Sequence, residues 1–174
     1  MTMKLADNIV TPRLVIRSYR AADRDFILSL WGDRTNGKYM SDPAPENRDE
    51  RYLSLIGEME DDGDGYYMIL ELKETGERIG TCCAFPENGN YDIGYCIDHS
   101  RWREGLGTEM IAALLRWIRS QGGVSVSGEV ADDNAASVAL LRKFGFTPDR
   151  KTRYKKWGEE TYFDAHFHKL LLAP

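Results

Sequence analysis

The run Tyr91-Asp-Ile-Gly-Tyr-Cys-Ile-Asp-His-Ser-Arg-Trp-Arg-Glu-Gly-Leu-Gly-Thr108 decides how the chain is organised. Its first seven residues mix β-branched and aromatic side chains and read as a strand over 91–97. Beyond it, Met110, Ile111, Leu114, Leu115 and Ile118 fall at helical spacing, which predicts a helix from about 105 to 120, stopped by Gly122 and Gly123. Between the two, Gly105 and Gly107 lack a Cβ, so backbone amides there can approach a ligand closely. Free N–H groups and the macrodipole at a helix N-terminus form an anion site suited to a pyrophosphate, and Arg101 and Arg103 add positive charge just upstream. The plain alternative is a strand-to-helix turn built from small residues. A Walker loop is excluded because no Lys-Ser/Thr follows the second glycine. A Rossmann fingerprint is excluded because Met110 holds the third glycine position and the preceding sheet reads as antiparallel.

Upstream, a strand is predicted over 13–18, followed by a helix whose face carries Phe26, Ile27 and Leu30 with Asp23 as its N-cap. Two glycines and two prolines make 32–45 a loop. Tyr52, Leu55, Ile56 and Met59 predict an amphipathic helix over about 46–60, ended by Asp61-Asp-Gly-Asp-Gly. The period then changes to that of strands. Three of them, near 66–72, 78–85 and 91–97 with short polar turns, form an antiparallel meander. After the long helix come a strand near 124–130, a helix over 134–144, and two strands near 146–154 and 161–170 hinged on Lys156-Trp-Gly-Glu. Neither repeats nor a linker interrupt this order, so the expectation is a single α+β domain over 1–174.

A chain of 174 residues buries roughly 70% of its unfolded surface, enough for a core without staples. Charged residues make up 29% with a net charge of only −5, which argues against disorder. A pI near 5.3 disfavours nucleic acid as a partner, because phosphate backbones need a basic face. No apolar run reaches the ~18 residues of a membrane span, and the first residues lack the apolar core of a signal peptide. The odd cysteine count (Cys82, Cys83 and Cys96) excludes a disulfide framework and points to the reducing cytoplasm. A cysteine nucleophile would need a nearby histidine, and His99 is close only in sequence. His166 and His168 share a strand face, but nothing is spaced to complete a zinc site, so no metal is expected.

The segment Trp102-Arg-Glu-Gly-Leu-Gly-Thr-Glu resembles the coenzyme A loop, motif A, of the GNAT superfamily of N-acetyltransferases, written Gln/Arg-x-x-Gly-x-Gly/Ala. It is most similar to the branch that acetylates N-termini of ribosomal proteins, where an aromatic residue often opens the motif and Thr-Glu closes it; Trp102 departs from the wider pattern and suits that branch. Asn134-Ala-Ala-Ser-Val-Ala-Leu-Leu-Arg-Lys-Phe-Gly-Phe resembles motif B. Thr11-Pro-Arg-Leu-Val-Ile-Arg resembles the start of that branch, and Asp164 its end. The resemblance covers nearly the whole chain in order.

It implies a GNAT fold: a mixed, mostly antiparallel twisted sheet of about six or seven strands flanked by about four helices. It also implies acetyl-CoA as co-substrate. Tyr95, Cys96 and Ile97 would offer backbone groups to pantetheine. The loop Arg103, Glu104, Gly105, Leu106, Gly107 and Thr108 would hold the pyrophosphate. Asn134 would bind the pantetheine arm, and Arg142 or Lys143 could meet the nucleotide phosphate unless they form only a solvated helix face. Many relatives carry a tyrosine acid where this chain has Leu141. Ser137 is the replacement candidate near the departing thiolate, with a capping serine as the plain alternative. Glu129 matches the base of ribosomal-protein acetyltransferases, and Asp92 is the rival acting through water. The implied reaction is direct acetyl transfer to a primary amine, either a protein N-terminus or a small-molecule amine, by a monomer or homodimer. The acidic run Asp61-Asp-Gly-Asp would suit polyamines or aminoglycosides. Two other classes remain open: a catalytically weak acyl-CoA-binding or regulatory module, favoured by Leu141, and a nucleotide-binding protein of another kind.

Overall fold

A computed structural model describes residues 2–173. Eight strands form one sheet in the order β1-β2-β3-β4-β5-β6-β8-β7. They are β1 (Ile9–Val10), β2 (Leu14–Ser18), β3 (Tyr66–Leu72), β4 (Arg78–Glu87), β5 (Asn90–Ile97), β6 (Ser125–Ala131), β7 (Thr147–Lys155) and β8 (Tyr162–Leu171). Four helices accompany them: α1 (Arg24–Gly32), α2 (Glu50–Glu58), α3 (Leu106–Ser120) and α4 (Ala135–Lys143). Seven strands match the sequence expectation; the additional one is β1, whose two residues are too short to show a period.

Both faces of the sheet are covered, and β3 shows why. Met68 and Leu70 join the core beneath α3 together with Met110, Ile111, Leu114 and Ile118. Ile69 points the other way, into a second cluster with Ile27 of α1 and Tyr52 and Ile56 of α2. A strand buried on both faces carries a continuous apolar run instead of an alternating one. Between β4 and β5, Asn88 (φ 50°) and Gly89 (φ 82°) close a two-residue turn with Glu87 paired to Asn90, the left-handed geometry that Asn-Gly favours.

β5 and β6 form the one parallel pair of the sheet, and it is short. Asn90, Tyr91 and Asp92 pair with Ser125, Val126 and Ser127, and pairing stops there. Residues 93–97 and 128–131 continue as strands held only from their outer sides, by β4 and β8. The sheet is therefore forked at its centre.

Two expectations need correction. The helix expected over 46–60 is α2, bounded by single turns at Pro45–Asn47 and Met59–Asp61. Asp49 breaks the continuity because its side chain caps the helix, accepting from the Tyr52 N–H at 2.7 Å. Asp23 precedes α1 but its side chain caps nothing there. The carboxylate instead accepts both Arg17 guanidinium arms at 2.7 and 2.8 Å, Arg78 at 3.1 Å and the Arg20 N–H at 3.0 Å. Two guanidinium groups outcompete a helix amide for a buried carboxylate.

Burial alone would push the Asp23 carboxyl up, but the hydrogen bonds from Arg17, Arg20 and Arg78 outweigh it and hold it below its ordinary value. Asp23→Ala removes the main partner of the half-buried Arg17, which keeps Glu71, a loss of about 1.5–3 kcal/mol, or roughly 3–12 °C in Tm for a chain of this size. The depressed carboxyl stabilises the fold above its unfolded value near 4 and loses that contribution as pH falls through the lowered one. Thermal melts should therefore show the gap between wild type and Asp23→Ala closing below about pH 4.

Candidate functional site

The loop between β5 and α3 is built to leave amides free. Asp98 caps a turn by accepting the Ser100 N–H at 2.9 Å, and the Trp102 indole donates to the Ile97 carbonyl at 2.7 Å. Arg103 (φ 63°) and Gly105 (φ 78°) both take left-handed backbone, which curls the chain into a concavity of N–H groups. The first bond within α3 runs from the Glu109 N–H to the Gly105 carbonyl at 3.1 Å. The amides of Leu106, Gly107 and Thr108 thus precede the ladder, as helix starts require. Lys143 reaches this end, its Nζ 3.4 Å from Thr108 Oγ1, while Arg142 lies within electrostatic reach of His168.

The loop is fixed from a distance by residues that carried no assigned role in the sequence. Thr11 Oγ1 and the Arg13 N–H both donate to Glu109 Oε1, at 2.6 and 2.7 Å. The Arg13 guanidinium donates to Glu109 Oε2 and to the Glu104 carbonyl, each at 2.7 Å. Thr11-Pro-Arg and the closing glutamate were visible as parts of motifs. Their pairing across the fold was not.

From these amides a cavity of about 1910 Å³ runs along the fork and out beneath the 33–47 loop. Tyr95, Ser137 and Glu129 line its middle. Asn134 caps α4, its Oδ1 accepting the Ser137 N–H at 3.3 Å, so the serine hydroxyl and the asparagine amide stay available. The Tyr95 hydroxyl is buried with no hydrogen-bond partner among the described residues. Burial raises this phenol and the nearby Ser137 hydroxyl opposes the rise, without the two closing a bond. Leu141 is fully buried, and a Cβ on Gly128 would lie 3.6 Å from its side chain, so this position belongs to the packing beneath the fork.

At the closed end of the fork a chain of donors converges on Asp92. Ser125 donates to Asn90 at 2.8 Å, Asn90 to Ser127 at 2.9 Å, and Ser127 to Asp92 at 3.2 Å. Burial pushes the Asp92 carboxyl up to about 6; the Ser127 bond lowers it, and the charge of Glu129 adds to the rise. Glu129 lies two residues beyond Ser127 on β6 and is exposed to the cavity. Cys96 and Cys83 face the 33–47 side, and burial pushes each thiol up to about 12, which leaves no thiolate for nucleophilic attack. His166 Nδ1 sits 2.7 Å from Asp132, and His168 is buried. Among the described residues no His, Cys, Asp or Glu group is arranged to hold a metal ion, and no helix is long and apolar enough to cross a membrane.

The Acetyltransferase (GNAT) domain pattern matches residues 13–147. The chain belongs to the GNAT acetyltransferase family. Among relatives of this family, the uncharacterised N-acetyltransferase p20 of Bacillus licheniformis is 26% identical over 171 residues, covering 95% of this chain and 96% of that one. The spermidine N-acetyltransferase of Vibrio cholerae, solved with CoA and spermine, superposes with a TM-score of 0.77 at 17% identity, covering 92% of this chain and 96% of that one. The Salmonella typhimurium acetyltransferase that modifies an N-terminal serine of a 50S ribosomal-subunit protein gives 0.78 at 16% identity, covering 96% and 100%. At such identities the GNAT structures share the fold with this chain: a mixed α+β sheet with its flanking helices.

The elevated Asp92 makes a stability prediction. A carboxyl at about 6 in the fold and near 3.8 unfolded costs nothing below both values, and its cost grows to at most about 3 kcal/mol above pH 6. Asp92→Asn keeps the acceptor for Ser127 and removes the charge. Melting curves should show this variant gaining on wild type as pH rises from 4 to 8; a difference independent of pH contradicts the assignment.

Proposed function

We propose that the protein is an acetyl-CoA-dependent N-acetyltransferase that moves the acetyl group directly to a primary amine, a peptide N-terminus or a small-molecule amine, in a ternary complex. The observation that carries this reading is the fork. One cavity connects free helix amides at one end to a carboxylate and two hydroxyls at the point where β5 and β6 part. The residues present fit the co-substrate. Leu106, Gly107 and Thr108 supply amides for a pyrophosphate, residues 93–97 have a strand edge without a ladder partner for an amide-bearing arm, and the buried Tyr95 hydroxyl awaits an acceptor.

Acetyl-CoA, when bound, supplies the activated acyl carbon. Glu129 takes the proton of the acceptor ammonium, freeing the nitrogen lone pair. Asp92, behind it, shares the fork with a second carboxylate and orders the water between them. As the C–N bond forms and the C–S bond breaks, the Ser137 hydroxyl donates to the departing sulfur, and the proton lost by nitrogen balances the one that the thiolate gains. Asn134 offers its amide N–H to the pantetheine arm, and Lys143 stands near the phosphate end. An α-amine is about 10% neutral at pH 7, which lowers the demand on the base.

Two measurements test the halves separately. A Cβ at Gly107 would meet Leu140 Cδ2 at 3.2 Å and Ile97 Cδ1 at 3.7 Å, both ends of flexible side chains. Gly107→Val should therefore fold, yet obstruct the amides and weaken acetyl-CoA binding about tenfold or more, roughly 1.4 kcal/mol. Unchanged affinity in the folded variant removes the phosphate site. For the acceptor half, Glu129→Gln should lower kcat/KM at pH 7 by roughly 10–10⁴-fold, with the deficit shrinking as pH nears the amine pKa. A near-wild-type Glu129→Gln profile alongside an Asp92→Asn collapse at neutral pH assigns the base to Asp92 instead.

A further inference from the structure

The 33–47 loop roofs the acceptor half of the cavity and holds a carboxylate that the transfer chemistry does not use. Asp42 is half-buried and lines the cavity. Its one side-chain partner is the Tyr52 hydroxyl, which donates to Oδ1 at 2.8 Å. No ion pair among the described residues includes it, although two cations stand close enough to be felt. Both are committed elsewhere. Lys156 Nζ gives its three protons to the carbonyls of Gly37, Met40 and Asp42, at 2.8, 2.9 and 3.0 Å. Arg48 donates to the Leu28 carbonyl.

A carboxylate largely withdrawn from water is ordinarily paired, because leaving its charge without a counter-charge is costly. An asparagine would accept the Tyr52 hydroxyl equally well, so packing does not explain the charge. Burial raises the Asp42 carboxyl, and the Tyr52 bond and the charges of Lys156 and Arg48 offset the rise only in part. Its field reaches the thiols of Cys83 and Cys96, which places it against the β4–β5 strands, with Glu129 lining the same cavity. Trp31, Tyr52, Tyr67 and Trp157 line the cavity too, and aromatic faces attract cations. Of the carboxylates that line the chamber, Glu129 stands at the fork and Asp42 in the roof, while Glu58, Asp61 and Asp62 add negative charge around α2, with ring faces in the walls.

We infer that Asp42 binds a second ammonium group of the acceptor, so that the preferred acceptor is a flexible diamine or longer polycation with one amine at Glu129 and another at Asp42. This deepens the acetyltransferase reading above and rests on it for the identity of the cavity. The binding itself needs no turnover.

Titration calorimetry with 1,4-diaminobutane, with n-butylamine and with a short peptide bearing a free N-terminus separates the outcomes. Wild type should bind the diamine about tenfold or more tightly than the monoamine, and Asp42→Asn should erase that preference while leaving acetyl-CoA affinity within a few-fold. Tyr52→Phe, which keeps the charge and removes only its hydroxyl partner, should retain the preference. Equal binding of diamine and monoamine by wild type overturns the proposal. So does a peptide that binds more tightly than the diamine and is indifferent to Asp42→Asn. Absence of thiol release from acetyl-CoA with every amine, in a protein that still shows the Asp42-dependent diamine preference, defeats the transferase reading and leaves the ammonium site standing.

Discussion

Everything in the site follows from the point at which β5 and β6 stop pairing. A parallel pair of strands normally continues its ladder, and ending it after Asp92 and Ser127 leaves backbone groups on two facing edges that need partners from elsewhere. The outer ladders to β4 and β8 keep each arm extended, so the gap persists as a slot and does not collapse. α3 starts at one end of that slot with three free amides, and α4 crosses it with Asn134 and Ser137. Asp92 and Glu129 mark its closed end.

The slot needs rigid walls, and the energetics supply them from both faces of the sheet. Beneath α3, fully buried Met110, Ile111, Leu114 and Ile118 each contribute about 1.5–3 kcal/mol of burial. On the opposite face the Arg17–Asp23–Arg78 cluster ties β2 and β4 to the turn before α1. The Thr11–Arg13–Glu109 lock then joins the turn between β1 and β2, at one side of the sheet, to the first turn of α3. Arg103 is kept in a left-handed conformation that a non-glycine residue adopts at some energetic cost, and the lock beside it is part of what holds the loop there.

Much of this was legible in the sequence because it is local. The α3 spacing, the meander of β3 to β5 and the Gly105–Gly107 turn each rest on residues a few positions apart. Asp23 misled for the opposite reason: a cap is a local inference, and Arg17 and Arg78 reach the same carboxylate from two strands. Glu129, Ser137 and Asp92 could be singled out by motif and residue type, but the donor chain through Ser125, Asn90 and Ser127 needs the parallel register of β5 and β6, which composition does not encode. Arg13 with Glu109, 96 positions apart, and Asp42 with Tyr52 under the roof, drew no role from the sequence, because charge alone does not say which groups end up without a counter-charge.

The grip of Lys156 on the roof has a consequence for how such a protein can change. One ammonium holds carbonyls of the 33–47 loop across separations of 114 to 119 residues, and Tyr154 and Trp157 add bonds to Tyr39 and Ser41 of the same loop. The ceiling over that half of the cavity is therefore shaped jointly by an early loop and the turn between β7 and β8. Under the proposed function, an altered acceptor preference would require matched substitutions in two distant stretches of chain, whereas the turn proposed to hold the phosphates, Gly105–Thr108, could be inherited untouched.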